Sequence, residues 1–179
     1  MTNQSYRTHH CNQLRAPDVG ATVKLAGWVH MHRNLGGVVF IDLRDREGLT
    51  QVVFRPEDDA ALAEMARTLG QEDVIEVSGE VTLKVTPNPN LPTGEVELVA
   101  RELRILNRAD VLPFPIEGEA ANEDLRLSYR YFDLRRPQLA RNLRMRHRIT
   151  KATRDYLDSQ GFVEIETPIL SKSTPEGAR

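Results

Sequence analysis

The sequence contains little cysteine and no long hydrophobic run, and each of these absences excludes a class of protein. The single cysteine, Cys11, excludes an internal disulfide framework and is typical of a reducing compartment. No apolar stretch reaches the roughly 20 residues that cross a bilayer. Residues 1–10 are polar and lack the apolar segment of a signal peptide. We therefore expect a cytoplasmic protein with no membrane partner.

An overall positive charge is also missing, because the net charge is −2. This value argues at first against a nucleic-acid partner, but the distribution of charge matters more than its sum. Basic residues crowd the stretch from Arg126 to Arg154, where the one acidic residue is Asp133. Such a stretch forms either a nucleic-acid-binding patch or a solvated helix face that pairs with acids elsewhere. The composition does not decide between the two.

Residues 22–105 show the pattern of short strands separated by turns, interrupted by one helix. The helix begins at Pro56, is stopped by Gly70, and places one set of apolar residues on a single face: Leu62, Met65, Ala66 and Leu69. The predicted strands are Thr22–His30, Val38–Arg44, Leu49–Phe54, Val74–Leu83 and Glu95–Leu106. Five strands with a helix between the third and the fourth is the order of the OB-fold, a Greek-key barrel that binds oligonucleotides. An unrelated five-stranded barrel with the same strand count is the alternative.

The rest of the chain predicts the beginning of a second domain. Periodicity is lost over residues 108–137, which we interpret as a hinge. An amphipathic helix follows Pro137 and ends at Gly161, and a strand that carries Pro168 then runs from Phe162 to Leu170. A lone helix and strand cannot bury their apolar faces. We therefore expect a barrel over residues 1–107, a hinge over 108–137, and an incomplete α/β domain over 138–179.

Four residues of the predicted barrel are candidates for recognising a nucleobase. Phe40 shares a strand face with two charged residues, so its ring is either a stacking platform for an unstacked base or an aromatic covered by a loop. Gln51 offers both a donor and an acceptor to the pairing edge of a base. Glu97 could accept from a base amino group, and Arg33, in the predicted loop before the second strand, could meet phosphate or base. Each residue is also compatible with an ordinary surface role.

The run His9-His10-Cys11 raises the question of a metal site. Its spacing is too compact for a tetrahedral site, and the sequence contains no second cysteine cluster. We interpret these residues as part of an N-terminal tail and predict no metal ligands.

Four longer segments carry a resemblance to a known family. Gly161–Leu170 resembles motif 1 of the class II aminoacyl-tRNA synthetases, and Tyr129–Pro137 resembles the hinge sequence of the aspartate, asparagine and lysine enzymes. Ile105–Pro113 and Thr174–Arg179 are similar to bacterial-type aspartyl-tRNA synthetases, whereas the lysine and asparagine enzymes differ in the Thr174–Arg179 stretch. The resemblance covers essentially the whole chain, which is identified as the N-terminal portion of a member of this family.

The resemblance implies an anticodon-binding role for the barrel. In the family, Phe40 matches the aromatic residue that stacks on the central anticodon base, and Gln51 matches the glutamine that reads this base. Arg33 and Glu97 match positions near the first and last anticodon bases. The Thr86–Asn90 loop and Leu35 lie where the family tunes rejection of the asparagine tRNA. The loop is short and proline-rich here, which leaves this discrimination open.

The resemblance also implies roles in the second domain and a reaction. Glu176 matches the carboxylate that holds the α-ammonium group of L-aspartate, and Pro168 matches the proline of the homodimer interface. The implied enzyme is an aspartate–tRNA ligase that activates aspartate with ATP and Mg²⁺ and transfers it to the 3′ end of tRNA(Asp). Motifs 2 and 3 should lie beyond Arg179, so we expect the fragment to bind the anticodon without catalysing. The alternatives are a non-catalytic OB-fold module for single-stranded nucleic acid and a ligase that also charges tRNA(Asn).

Overall fold

A closed five-stranded barrel forms the first part of the computed structural model, which describes residues 6–118 and 121–170. The strands are β1 (Thr22–Leu35), β2 (Val38–Arg44), β3 (Leu49–Phe54), β4 (Val74–Leu83) and β5 (Val96–Asn107), with helix α1 (Ala60–Arg67) between β3 and β4. Their order around the barrel is β1-β2-β3-β5-β4. Neighbouring strands are antiparallel except β3 and β5, which are parallel. The predicted strand order and the helix between the third and fourth strands are therefore confirmed.

Strand β1 pairs with two neighbours because it is long and bends. Its first half pairs with β4 and its second half with β2, and a register shift separates Val29 from Met31. A Cβ atom at Gly27 would collide with the backbone carbonyl of Arg44, so only glycine allows the close approach of β1 and β2 there. The sequence placed the end of this strand at His30, and that boundary is wrong. Arg33 consequently lies in β1 and not in a loop.

Alternate residues of every strand point into one hydrophobic core, as the period of two predicts. The fully buried side chains of the first three strands include Leu25, Val29, Val39, Ile41, Leu43 and Val52. Helix α1 begins at Ala60, where the Asp59 side chain accepts a hydrogen bond from the backbone N–H of Leu62. Its buried residues are Ala63 and Ala66, whereas Met65, predicted on the packed face, is exposed.

The segment before β1 belongs to the core and is not a tail, which corrects the prediction. Cys11 and Leu14 are fully buried in the same hydrophobic cluster as the strands, and burial raises the pKa of the Cys11 thiol. Asp45 holds the segment in place by accepting from the Cys11 backbone N–H at 3.1 Å and contacting His10 Nδ1 at 2.8 Å. Although burial alone would raise the pKa of Asp45, these contacts and two further backbone donors lower it.

Contacts divide the chain into two units, Met1–Leu112 and Pro113–Arg179. The described part of the second unit contains α2 (Glu123–Ser128), α3 (Arg130–Asp133) and α4 (Pro137–Ser159). The two short helices α2 and α3 lie in the predicted hinge. They were not predicted because a helix of four to six residues is too short to show a helical period. Helix α4 is followed by Gly161 at φ +81°, the left-handed conformation expected of a glycine after a helix.

The arginine-rich stretch is partly explained by pairing inside this unit. Asp133 is fully buried and accepts from Arg126 at 3.1 Å and from Arg130 at 2.7 Å. The hydrogen bonds from Arg126, together with the nearby positive charges, lower the pKa of Asp133. On α4, Lys151 pairs with Asp155 one turn away. Several of these cations therefore neutralise acids, which fits the second of the two interpretations for those residues.

Residues 162–170, predicted as a strand, have no regular secondary structure in the described part of the chain. A strand is defined by hydrogen bonds to a neighbouring strand, and none is formed here. Across the described ranges, no helix is both long and apolar enough to cross a membrane.

Candidate nucleic-acid interface

The cross-strand register brings the predicted barrel residues onto neighbouring strands. Phe40 in β2 lies opposite Arg33 in β1 on one side and opposite Val53 in β3 on the other. Gln51 in β3 lies opposite Asp42 in β2. The β3 strand in turn pairs with β5, which carries Glu97. We call the set Arg33, Phe40, Asp42, Gln51, Arg55, Lys84 and Glu97 the recognition face.

Phe40 presents its ring on the outer side of the sheet. The β2 strand alternates regularly, with Val39, Ile41 and Leu43 fully buried and Phe40 half-buried between them. By contrast Phe54, at the end of β3, is only 1% exposed and belongs to the core. A half-buried ring on a polar face has a free surface on which a base can stack.

An ion pair orders one edge of the recognition face. The Nη2 atom of Arg33 lies 2.9 Å and 3.0 Å from the two carboxylate oxygens of Asp42. Both side chains lie on the outer face and remain partly exposed. The guanidinium is thereby held in one orientation while its remaining N–H groups stay available for a further acceptor.

Glu97 is the centre of the other edge. Its Oε2 atom accepts from Gln51 Nε2 at 3.4 Å, and its Oε1 atom accepts from Arg55 Nη2 at 3.2 Å. The Glu97 side chain is only 9% exposed, whereas that of Arg55 is 37% exposed. Burial raises the pKa of Glu97, and the positive charges of Arg55 and Lys84 oppose this effect.

Lys84 is a buried cation close to these groups. Burial lowers its pKa, while the carboxylates of Asp42 and Glu97 act in the opposite direction. With Arg33 and Arg55, the face carries three cations against two carboxylates. This local excess of positive charge occurs in a chain whose net charge is −2, and it favours a polyanionic ligand.

Four residues of the recognition face were predicted from the sequence, whereas the roles of Asp42, Arg55 and Lys84 were not. Arg55 directly follows β3 and Lys84 directly follows β4. Their positions at strand ends were visible in the sequence. The ends of β3 and β4 lie at one face because β3 pairs with β5. The sequence carries no local signal for this pairing.

The other predicted site residues lie apart from these contacts. Leu35 is 64% exposed at the end of β1, and Thr86 is exposed in the loop between β4 and β5. Pro168 is exposed in the irregular segment of the second unit. Glu176 lies outside the described residues.

The barrel also contains a cavity of about 250 Å³ that shares no lining residue with the recognition face. Tyr6 and Trp28 are among the residues that line it, with Asp45 at one side. Because Asp45 already accepts from Arg7 and from the Cys11 backbone N–H, its carboxylate is committed to holding the N-terminal segment. The cavity is therefore separate from the residues that the sequence predicted to contact bases.

Comparison with known proteins agrees with both parts of the chain. Residues 23–106 match the family model described as "OB-fold nucleic acid binding domain", and residues 122–179 match "tRNA synthetases class II (D, K and N)". Among solved structures, the asparaginyl-tRNA synthetase from Pyrococcus horikoshii superposes with a TM-score of 0.78 at 27% identity. It covers 91% of this chain and 38% of that one. A putative aspartyl-tRNA synthetase from Leishmania major, at 24% identity and a TM-score of 0.78, supports the fold alone.

Curated relatives are considerably more similar in sequence. The Aspartate–tRNA(Asp/Asn) ligase of Opitutus terrae is 54% identical over 179 residues, and the Aspartate–tRNA ligase of Parabacteroides distasonis is 53% identical over 175 residues. Each alignment covers 97% of this chain, and the chain spans about 30% of the length of these relatives. The chain thus has a barrel of the OB-fold order followed by a segment that matches the class II model, and over 97% of its length it is similar to part of the aspartate–tRNA ligases.

Proposed function

We propose that this chain recognises the anticodon of tRNA(Asp) for an aspartate–tRNA ligase. The observation that carries the proposal is the recognition face itself. A half-buried phenyl ring, an amide, two carboxylates and three cations lie together on one side of an OB-fold barrel. An aromatic surface beside hydrogen-bonding groups and positive charge is the arrangement that binds unstacked bases of single-stranded nucleic acid.

The residues of the face divide the work between affinity and specificity. Stacking on Phe40 contributes affinity that depends little on which base is present, because every base has a π face. Gln51 supplies specificity for the central base, since hydrogen bonds to a pairing edge distinguish uracil from cytosine. Arg33 and Glu97, at opposite edges of the face, are proposed to contact the two flanking anticodon bases.

For the whole protein we propose ATP-dependent activation of L-aspartate and its transfer to the 3′ end of tRNA(Asp), in the cytoplasm. The family as a whole uses ATP with Mg²⁺. Within residues 6–118 and 121–170, no group of three His, Cys, Asp or Glu side chains could hold a metal ion. Glu176 is proposed to hold the α-ammonium group of aspartate.

A homodimer is the proposed assembly, with Pro168 at its interface. Support comes from the apolar side chains that α4 and the following segment leave exposed, among them Leu143, Met145, Ile149, Tyr156, Phe162 and Ile169. Apolar residues exposed at this density mark a surface that another element or subunit covers. Sedimentation velocity tests the assignment, because Ile149→Asp should shift a dimer towards monomer while the barrel stays folded.

Anticodon binding is tested with RNA stem-loops. The chain should bind a stem-loop with the anticodon GUC more tightly than one with an unrelated loop of the same length. Affinity should fall as salt rises, because cations that neutralise phosphates release counterions. Equal affinity for both RNAs, or an affinity that salt does not change, would show that the face does not read an anticodon.

A ligase that also charges tRNA(Asn) is the second candidate. Two relatives, from Opitutus terrae and Methylacidiphilum infernorum, carry the name Aspartate–tRNA(Asp/Asn) ligase at 54% and 53% identity. The two tRNAs differ in the last anticodon base, so stem-loops with GUC and GUU separate the candidates. Equal affinity favours the second candidate, and a preference for GUC favours the first. A non-catalytic module is less well supported, because residues 122–179 match the synthetase model.

A further inference from the structure

Arg55 is a cation of the recognition face that is hydrogen-bonded to the largely buried carboxylate of Glu97. Its Nη2 atom donates to Glu97 Oε1 at 3.2 Å. Glu97 Oε2, the other oxygen, lies 3.4 Å from Gln51 Nε2. The three side chains thus form a line in which Arg55 contacts Glu97 and Glu97 contacts Gln51.

This line determines which way the Gln51 amide faces. An ionised carboxylate only accepts hydrogen bonds, so the amide must turn its NH₂ group towards Glu97 and its carbonyl oxygen away. One N–H and the carbonyl then remain for a base. A protonated Glu97 could instead donate a hydrogen bond to the Gln51 carbonyl oxygen, and this would allow the reversed orientation of the amide.

The orientation of the amide matters because uracil and cytosine present opposite patterns. At adjacent positions of the pairing edge, uracil offers an acceptor and then a donor, whereas cytosine offers a donor and then an acceptor. An amide held in one orientation can make two hydrogen bonds to only one of these bases. An amide free to reverse can satisfy both, and discrimination is then lost.

We propose that Arg55 is a positioning residue that holds Glu97 in place and thereby fixes the Gln51 amide for uracil rather than cytosine. The inference rests on the proposed anticodon-reading function. Arg55 acts through Glu97 and need not touch the RNA. Two properties of the site support the assignment: Glu97 is largely buried, so its charge needs a partner, and burial raises its pKa, so removing Arg55 favours the protonated form.

The test compares stem-loops with the anticodons GUC and GCC on the 179-residue chain. In the wild type, the affinity ratio should be about tenfold or more at neutral pH, which is the range for a bidentate base contact. Arg55→Met should reduce the ratio to about threefold or less, chiefly by strengthening binding of the cytosine RNA relative to the uracil RNA. Arg55→Lys, which keeps the charge but not the guanidinium geometry, should give an intermediate ratio.

A pH series separates positioning from general structural damage. The wild-type ratio should fall as the pH drops through the pKa of Glu97, and in Arg55→Met this fall should occur at a higher pH. In a Glu97→Gln background no group titrates at this position, so adding Arg55→Met should change the ratio no further. Arg101→Met is the matched control, because Arg101 is also half-exposed and pairs with Asp58 at 3.7 Å. Among the described residues, its side chain has no hydrogen bond or ion pair to the recognition face.

The outcomes are distinguishable. A wild-type ratio near one would refute the proposed function, and the positioning role with it. A discriminating wild type whose ratio and pH profile do not change in Arg55→Met would overturn the positioning role alone. Equal weakening of both RNAs would also overturn it, because that result identifies a phosphate contact. If circular dichroism shows that Arg55→Met is unfolded, Arg55→Lys decides, and a wild-type ratio at every pH counts against the proposal.

Discussion

Replacing Phe40 by alanine separates a stacking residue from a core residue. Phe40 is half-buried on the outer side of β2, between the fully buried Val39 and Ile41. Full burial of such a side chain contributes roughly 1.5–3 kcal/mol, and the buried part of the Phe40 side chain accounts for about 1–2 kcal/mol of this. The outer side of the ring borders solvent, so its removal leaves no closed cavity. We expect Phe40→Ala to lower the free energy of unfolding by about 1–2 kcal/mol.

The effect on RNA binding should be as large as the effect on stability, or larger. Loss of a stacked base costs about 1–3 kcal/mol, which corresponds to a factor of about 5–150 in the dissociation constant. The loss should be similar for GUC and GCC stem-loops, because stacking does not read the pairing edge. Gln51→Ala should instead cause a smaller loss of affinity and should reduce the difference in affinity between the two RNAs.

Phe54→Ala is the matched control, because the same substitution falls on the inner side of the sheet. Phe54 is 1% exposed, and its truncation should cost about 3–5 kcal/mol of stability. Urea unfolding followed by tryptophan fluorescence measures both variants, because the chain has one tryptophan, Trp28, which lies in the barrel. If Phe40→Ala destabilises the barrel as much as Phe54→Ala does, and the folded fraction binds RNA normally, then Phe40 is a core residue and the site assignment is wrong.

Three further substitutions test the electrostatics and packing of the barrel. Because burial raises the pKa of Glu97 in the folded state, the wild type should gain stability relative to Glu97→Gln as the pH falls from neutral through that pKa. A stability difference between the two proteins, measured by urea unfolding, that does not change with pH would exclude the effect. Asp73→Ala removes the acceptor of two backbone N–H groups and of Arg108, at 2.7–2.9 Å, and should cost about 3 kcal/mol at neutral pH. Burial would raise the pKa of Asp73, but these donors lower it. The contribution of Asp73 to the free energy of unfolding is therefore complete above about pH 4 and should disappear as the pH falls through the lower folded-state pKa. A stability loss in Asp73→Ala that is the same at pH 2 and pH 7 would refute this. Gly79→Ala places a Cβ atom against a backbone carbonyl of β5 and should lower the free energy of unfolding by about 1–3 kcal/mol. If the variant unfolds at the same urea concentration as the wild type, then β4 and β5 can move apart without loss of stability.

Local patterns were sufficient to predict the barrel. Alternation in Val38–Arg44 and Leu49–Phe54 gave strands with the observed boundaries, because one face of each is buried in a continuous core. The boundary of β1 was missed because Met31–Leu35 extends beyond the core and has no alternation to detect. The buried Cys11 was also missed, since a short irregular segment shows no period, and its burial depends on Asp45, 34 residues away.

The recognition face could be predicted only residue by residue. Phe40 was identified because an aromatic ring between charged residues on a strand face is unusual, and Gln51 because it is an amide between apolar residues on its strand face. In the sequence, Arg55 and Lys84 look the same as an exposed cation of any other strand end. Only the strand pairing brings them to Glu97. Nor does the sequence reveal that Glu97 is largely buried, since its strand neighbours include both charged and apolar residues.

The parallel contact between β3 and β5 has a consequence for how folding and binding are linked. It consists of two register pairs, Val52 with Leu98 and Val53 with Val99, and it closes the barrel. Gln51 lies on one side of this seam and Glu97 on the other, 46 residues apart in sequence. A sheet that has not closed therefore has every strand but no intact binding face. RNA that contacts both sides bridges the seam, so binding should slow its transient opening, and hydrogen exchange of the amides next to it should report occupancy of the site.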